Sequence, residues 1–221
     1  MTDPTNQPEF PGGTPPKAVI SRMSLYLRQL EREIAEGNET VSSKRLGGLL
    51  GVTDSQVRKD IGWFGNFGHR GVGYHCRKLA DGIRQNLGTA RQWPVALVGC
   101  GNLGQALLGY GGFTRRGFKV RAAFDRNPAL TGQQIHGIPI FEFDRFSEIV
   151  ESEGIELAML AVPADQAEPT AVVIARSGVA GILNFTPTRL NLPDSIAVSN
   201  VDLTIELEQL AFAVVRNRKR G

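Results

Sequence analysis

Six residues, Gly99-Cys100-Gly101-Asn102-Leu103-Gly104, constrain this chain more than any other segment. They follow the apolar run Val95-Ala96-Leu97-Val98 and open a helical stretch from Leu103 to Tyr110. A G-x-G-x-x-G turn between a strand and a helix is a dinucleotide-binding pattern, and each glycine has its own reason. The first allows a tight turn, the second lets the backbone approach a pyrophosphate, and the third lets helix and strand pack closely. The helix N-terminus then offers free N–H groups and a positive dipole to the phosphates. Asp125 lies 21 residues beyond Gly104, at the end of the strand-like run Phe118 to Phe124. A carboxylate there grips both hydroxyls of an adenosine ribose and disfavours a 2′-phosphate, which points to NAD rather than NADP. Arg126 beside it weakens that preference. A glycine-rich turn without a ligand is the alternative.

The residues around this turn alternate strand and helix. Helices are expected over Phe143 to Glu151 and Ala164 to Ser177, strands over Leu157 to Val162 and Gly181 to Phe185, and a last helix over Leu203 to Val215. Such alternation implies β-α-β units and a doubly wound parallel sheet, a Rossmann domain.

The first part of the chain reads differently. Ile20, Met23, Leu27, Leu30 and Ile34 recur every three or four residues, one face of a helix between Pro16 and Gly37. A second helix fits Ser43 to Leu50, with Leu46, Leu49 and Leu50 inward and Ser42 or Ser43 as its cap. Gly51 breaks it, and a third begins after Thr53 or Asp54. Two short helices joined by a tight turn make a helix-turn-helix pattern. Gly65 to Tyr74 then alternates four glycines with aromatic, basic and branched residues, which suits a hairpin wing tipped by His69 and Arg70. Leu79, Ile83 and Leu87 mark one more helix, stopped by Gly88. A boundary is expected near Gly88 to Pro94.

Charge separates the same two halves. Lys17 to Trp93 carries 13 Lys and Arg against 7 Asp and Glu; Pro94 to Val215 carries 8 against 13. A basic module on an acidic remainder points to a polyanion at the first half only. Ser43, Lys44 and Arg45 open the second helix, and Ser55, Gln56, Arg58 and Lys59 form the polar face that a recognition helix turns to the major groove. His69 and Arg70 on the wing complete the set, with Arg70 placed to enter a minor groove. A solvated basic face is the alternative. Residues 1–16, with five prolines, are expected to be a disordered arm, and residues 216–221 a frayed basic tail.

Several classes are excluded. Apolar runs reach only five to seven residues, against the ~20 that a membrane span needs. The N-terminus lacks a basic start and an apolar region, so no secretory signal is expected. Cys76 and Cys100 are too few for a four-ligand zinc site, and a reduced cytoplasmic chain without a disulfide or metal is expected. Of the histidines, His69 and His75 belong to the basic module, and in the second half nothing pairs a histidine such as His136 with a carboxylate at an informative spacing, so a hydride-transfer acid or base is wanting.

These residues together resemble the Rex family of bacterial redox-sensing transcriptional repressors. The resemblance rests on Val57-Arg58-Lys59-Asp60, Phe64-Gly65, Phe67-Gly68, Arg70-Gly71-Val72-Gly73-Tyr74, the glycine turn, Phe124-Asp125, Ala161-Val162-Pro163-Ala164, Gly181 to Pro187, Val201-Asp202-Leu203 and Glu206-Leu207. It implies a non-enzymatic homodimer with a winged-helix domain (17–90), a Rossmann domain (91–202) and a C-terminal helix (203–215) exchanged between subunits. It implies double-stranded operator DNA, an inverted repeat, as partner, and NADH and NAD⁺ as effectors, NADH closing the dimer and releasing the DNA. Gly99 to Gly104 and Asp125 would hold the adenosine diphosphate part. Val162, Pro163, Asn184 and Phe185 would line the nicotinamide side. Tyr110, Asp202 and Arg28 would link that side to the DNA-binding domains. The chain departs from the family pattern at Gly62-Trp63 and at Leu203, and Gly62 is expected to end the recognition helix. Two other readings remain: a small NAD-dependent oxidoreductase, and a nucleotide- or CoA-binding subunit of a larger complex.

Overall fold

The computed structural model describes residues 14–69 and 71–218. The chain divides into two units, residues 1–91 and 92–221, each with its own core. Most of the expected arm, and Arg70, Lys219 and Arg220, lie outside the described residues. Pro15, at the end of that arm, is already buried.

The first unit begins with helix α1 (Lys17–Ala35), entered through Pro16 and ended near Gly37 at φ +83°. Its buried stripe is Val19, Met23, Tyr26, Leu27 and Leu30. Ile20, expected inward, is 39% exposed. The stripe is centred about one residue earlier than the apolar spacing indicates, because Tyr26, Gln29 and Glu33 are buried on it with their polar atoms bonded. Strand β1 (Thr40–Val41) leads to α2 (Ser43–Leu50), capped by Ser42, whose Oγ accepts from the Arg45 N–H. Leu46 is buried there, but Leu49 is 50% exposed, so the inward face of this short helix is narrower than three leucines. Gly51 closes it at φ +68°. At Gly47 a Cβ would stand 2.5 Å from the Val52 carbonyl, so only glycine lets the turn fold back on α2. Helix α3 (Asp54–Gly62) is capped by Thr53 and does end at Gly62. Strands β2 (Gly68–His69) and β3 (Gly73–His75) pair antiparallel, and β1 joins β3, giving a three-stranded wing sheet. Helix α4 (Cys76–Asn86) packs on α1 and closes the core.

The second unit holds a seven-stranded sheet ordered β10-β9-β8-β4-β5-β7-β6. These are β4 (Trp93–Val98), β5 (Phe118–Asp125), β6 (Gln134–Ile135), β7 (Ile138–Glu142), β8 (Leu157–Leu160), β9 (Gly181–Asn184) and β10 (Ala197–Asn200). All neighbours are parallel except β6 and β7. From β4 the chain winds outward through β5, then crosses back to β8 on the other side, so the strand order reverses at β4. Ligands of such sheets bind at that reversal, beyond the carboxyl ends of the strands. Sequence reading gave no strand at β6, β7 or β10.

One face of the sheet is covered by a core under α7 (Phe146–Glu153) and α8 (Ala164–Arg176), including Phe124, Phe146, Ile149, Ala171 and Ile174. The expected helix from Phe143 starts as a 3-10 turn, Phe143–Arg145, before α7. The other face lies under α5 (Asn102–Leu108) and the short α6 (Gly112–Arg115). Gly109, Gly111 and Gly112 end α5 early, so Tyr110 stands in a turn and not on the expected helix. Past α6 an apolar cleft of about 390 Å³ remains, lined by Val95, Phe113, Phe118, Val120, Leu157 and Ala197 among others. Helix α9 (Leu203–Arg218) follows and buries none of its residues, although Leu203, Ile205, Leu207, Leu210, Phe212, Val214 and Val215 are apolar. It runs three residues past the expected end at Val215, since no breaker precedes Gly221 and the Arg216 guanidinium lies 5.7 Å over the Phe212 ring. Arg216 and Arg218, assigned to a frayed tail, are therefore helical.

Candidate functional site

The glycine turn sits at the strand reversal, and its three glycines differ in what they answer to. Gly99 has φ +96° and lies against the Ala161 carbonyl, so it needs both the left-handed backbone and the missing side chain. Gly104 lies against the Gly99 carbonyl, the close approach of helix to strand. Gly101 has φ −68° and ψ −169°, ordinary for any residue, and a Cβ there would meet nothing within 4 Å. Among the described residues no protein contact requires a glycine at 101.

Asp125 ties this turn to β5. Its Oδ2 accepts the Cys100 N–H at 2.6 Å and its Oδ1 accepts the Asn127 N–H at 2.8 Å. Each carboxylate oxygen keeps a lone pair for another donor. The Cys100 side chain is fully buried, and burial, then the charge of Asp125, push its thiol up to about 12. It is a protonated space-filler. Asn102 and Leu103 are exposed in the first turn of α5.

A cavity of about 380 Å³ opens beside Asp125, lined by Gly99, Gly101, Arg126, Leu130, Phe143, Val162, Pro163 and Gln166 among others. Val162 and Pro163 were expected on the nicotinamide side, yet they line the same cavity as Asp125 and Arg126. The loop after β8 turns toward the β5 end, because β4 between them stops at the glycine turn. Asn184 is fully buried and committed to its own turn: its Nδ2 donates to the Thr188 carbonyl and Asn200 Oδ1, and its Oδ1 accepts from the Thr186 N–H and hydroxyl. Phe185 packs against the core under α5. Tyr110 is 58% exposed and meets the Phe113 ring edge-on at 5.0 Å. Asp202 caps α9, its Oδ1 accepting the Thr204 N–H at 2.8 Å.

In the first unit the expected DNA-facing residues divide in two. Ser55, Lys59 and Lys44 are exposed. Arg58 is held in place: its Nη1 donates to Asp54 Oδ2 at 2.8 Å and to Ser43 Oγ at 3.0 Å, which links the starts of α2 and α3. Arg45 and Gln56 are occupied. The Arg45 Nε donates to both oxygens of the buried Glu33, and the Gln56 Nε2 donates to Asp60 at 2.7 Å. That bond uses one of the two N–H donors of the Gln56 amide. His69 belongs to β2; Arg70 lies outside the described residues.

Sequence reasoning missed the buried acids that hold this unit together. Asp60, on α3, has 0% exposure and accepts from Arg22 Nε (2.6 Å), Arg22 Nη2 (2.8 Å), Tyr26 Oη (2.8 Å) and Gln56. Burial alone would raise its pKa, but the bonds from Arg22, Tyr26 and Gln56 outweigh it and hold the carboxyl below the usual range. Glu33 is likewise kept low against burial by Arg45, Gln29 and Asn38. The signal was spacing: Asp60 stands three residues after the buried Val57 and beside the buried Ile61, on the apolar stripe of α3.

The chain is 44% identical over 202 residues to the redox-sensing transcriptional repressor Rex of Carboxydothermus hydrogenoformans, covering 91% of this chain and 97% of that protein. The chain belongs to the Rex family. The Rex repressor of Streptomyces coelicolor is 42% identical over 206 residues, 93% of this chain and 79% of its own length. The family model Put_DNA-bind_N, describing a DNA-binding protein N-terminus, matches residues 16–61, and the CoA binding domain model matches residues 90–188. Among solved structures, a Rex-family repressor called RSP, in complex with β-NAD⁺ and operator DNA, matches with a TM-score of 0.88 at 32% identity. That match covers 93% of this chain and 94% of the other. RSP in complex with β-NADH matches with a TM-score of 0.83 at 31% identity, over 92% and 96%. The Rex relatives are named as transcriptional repressors and not as enzymes.

Proposed function

We propose that this chain is a DNA-binding repressor that senses the NADH/NAD⁺ balance, releasing its operator when NADH takes the site. One observation carries the reading. The matched structure that holds both β-NAD⁺ and operator DNA is similar over 93% of this chain, so the helix-turn-helix and the glycine turn occur here in one protein as they do there. The site supports the nucleotide. Gly101 leaves its backbone open where a pyrophosphate approaches, and the spare lone pairs of Asp125 suit ribose hydroxyls. Gly99 to Gly104 and Asp125 hold the adenosine diphosphate half. Phe185, Tyr110 and Asp202 serve the nicotinamide half. Asn184 acts there only by fixing its turn.

Residues 17–90 form the DNA-binding domain and 91–202 the nucleotide domain. Ser43, Lys44, Ser55, Arg58, Lys59, His69 and Arg70 meet the DNA, and Arg45 and Gln56 position that face. The working form is a homodimer on an inverted repeat. An α9 with no buried residue and an apolar cleft on the sheet support exchange of that helix between copies. Among the described residues no helix is long and apolar enough to cross a membrane, and a repressor works in the cytoplasm.

A gel shift on genomic fragments, with NAD⁺ or NADH added, tests the reading. DNA retained with NAD⁺ and lost with NADH is the expected result. Equal retention with both, or turnover of NADH with a small carbonyl, would overturn it.

A further inference from the structure

Arg126 is exposed, yet its guanidinium is held from two sides. Its Cζ stands 5.4 Å from the centroid of the Phe143 ring, and its Nη1 donates to Gln166 Oε1 at 2.8 Å. Gln166 stands in the first turn of α8 and donates to Asp165 at 3.2 Å. Phe143, Gln166 and Arg126 all line the cavity beside Asp125, together with the apolar Leu130, Val162 and Pro163. A surface arginine ordinarily samples many rotamers; this one presents a fixed flat cation beside a largely apolar slot. Among the described residues no ion pair joins it to Asp125, whose oxygens accept backbone N–H groups instead.

We propose that Arg126 is the residue that seats the adenine at this site: the base stacks on its guanidinium plane, with Val162 and Pro163 forming the slot's apolar side. The proposal rests on the reading of the cavity as the adenosine end of an NAD(H) site. A guanidinium stacks on aromatic faces as an ammonium cannot, because it is planar and weakly hydrated. Because Phe143 and Gln166 already hold it, binding costs little rotamer freedom. The same bonds withdraw Arg126 from the ribose 2′ position. Asp125 alone then decides against a 2′-phosphate, and Arg126 does not offset it.

The test measures affinities of the full-length protein for NADH, ADP-ribose and NADPH, by NADH fluorescence and by competition. Arg126→Ala, Arg126→Lys and Gln166→Ala are compared with the parent, with thermal melts to establish folding. Arg126→Ala is expected to weaken NADH and ADP-ribose by a common factor of about fivefold. Arg126→Lys should follow Arg126→Ala, Gln166→Ala should cost about twofold, and the NADPH/NADH ratio should not move. Unchanged ADP-ribose affinity in Arg126→Ala overturns the proposal, as does a loss confined to NADPH or full rescue by Arg126→Lys. Should the parent bind none of the three ligands, the NAD(H) reading fails as well; should only the variants behave like the parent, the stacking proposal alone fails.

Discussion

Replacing Asp60 by Asn keeps the volume of the side chain and removes its charge. Asp60 accepts four hydrogen bonds, two from Arg22 and one each from Tyr26 and Gln56, at 0% exposure. An Asn has one acceptor oxygen and turns an NH₂ group toward donors. Breaking one side of a buried ion pair costs ~3–5 kcal/mol. The Arg22 side chain is 26% exposed and can rehydrate in part, so the lower end applies, about 3 kcal/mol. For a unit of this size that lowers the melting temperature by roughly 12–24 °C. Urea melts followed by Trp63 fluorescence in a Trp93→Phe background read the first unit, while NADH binding reads the second. The pH dependence has a definite sign. The folded-state pKa of Asp60 is depressed, so its contribution is complete above the ordinary carboxylate range and is lost as pH falls through the lowered value. The gap between parent and Asp60→Asn should therefore be constant from pH 7 down to about 5 and shrink below about 4. A gap under about 1 kcal/mol at pH 7, or one that widens in acid, would refute the assignment of Asp60 as the tie between α1 and α3.

The other expectations concern single atoms. Gly101→Ala should fold with an unchanged melting temperature and lose at least tenfold in NADH affinity, or ~1.4 kcal/mol, whereas Gly104→Ala, whose Cβ meets the Gly99 carbonyl, should fail to fold its second unit. Gly82 in α4 lies directly under the Phe67 ring, so Gly82→Ala should push the wing base away and weaken operator DNA in a gel shift while sparing NADH binding. With its thiol near 12, Cys100 should resist iodoacetamide at pH 8 in the folded protein and react only on unfolding, as mass spectrometry would record.

The glycine turn was legible because Gly99 and Gly104 answer local backbone demands, and strand, turn, helix and Asp125 all lie within about thirty residues of sequence. The helix-turn-helix was legible from equally local signals, with each cap narrowed to two neighbours, of which Ser42 and Thr53 are the caps found. The inward face of α1 was misjudged because a tyrosine and a glutamate are buried there, and their bonding partners sit 34 and 12 residues away. Strands β7 and β10 were missed because Pro139 interrupts one and Ala197-Val198-Ser199-Asn200 is an exposed edge with little apolar content. The bond from Arg58 to Asp54 could have been read from its spacing of four; the bond from Gln56 to Asp60 could too, but not that Asp60 also gathers Arg22 and Tyr26 from α1.

The Asp125 carboxylate is fastened to the Cys100 amide. Under the proposed function, oxidised and reduced dinucleotides place the same adenosine half on Asp125, so whatever this seat contributes to one it contributes to the other. It cancels from their competition and sets only how full the site is. Once nucleotide of either kind fills nearly every copy, doubling the whole pool at constant composition leaves the fraction of reduced-form complexes where it was. Only exchange of one form for the other moves it. A firm, indifferent grip on the adenosine end thus turns two concentration measurements into one quotient, and the regulator responds to redox poise without being misled by the size of the cofactor supply.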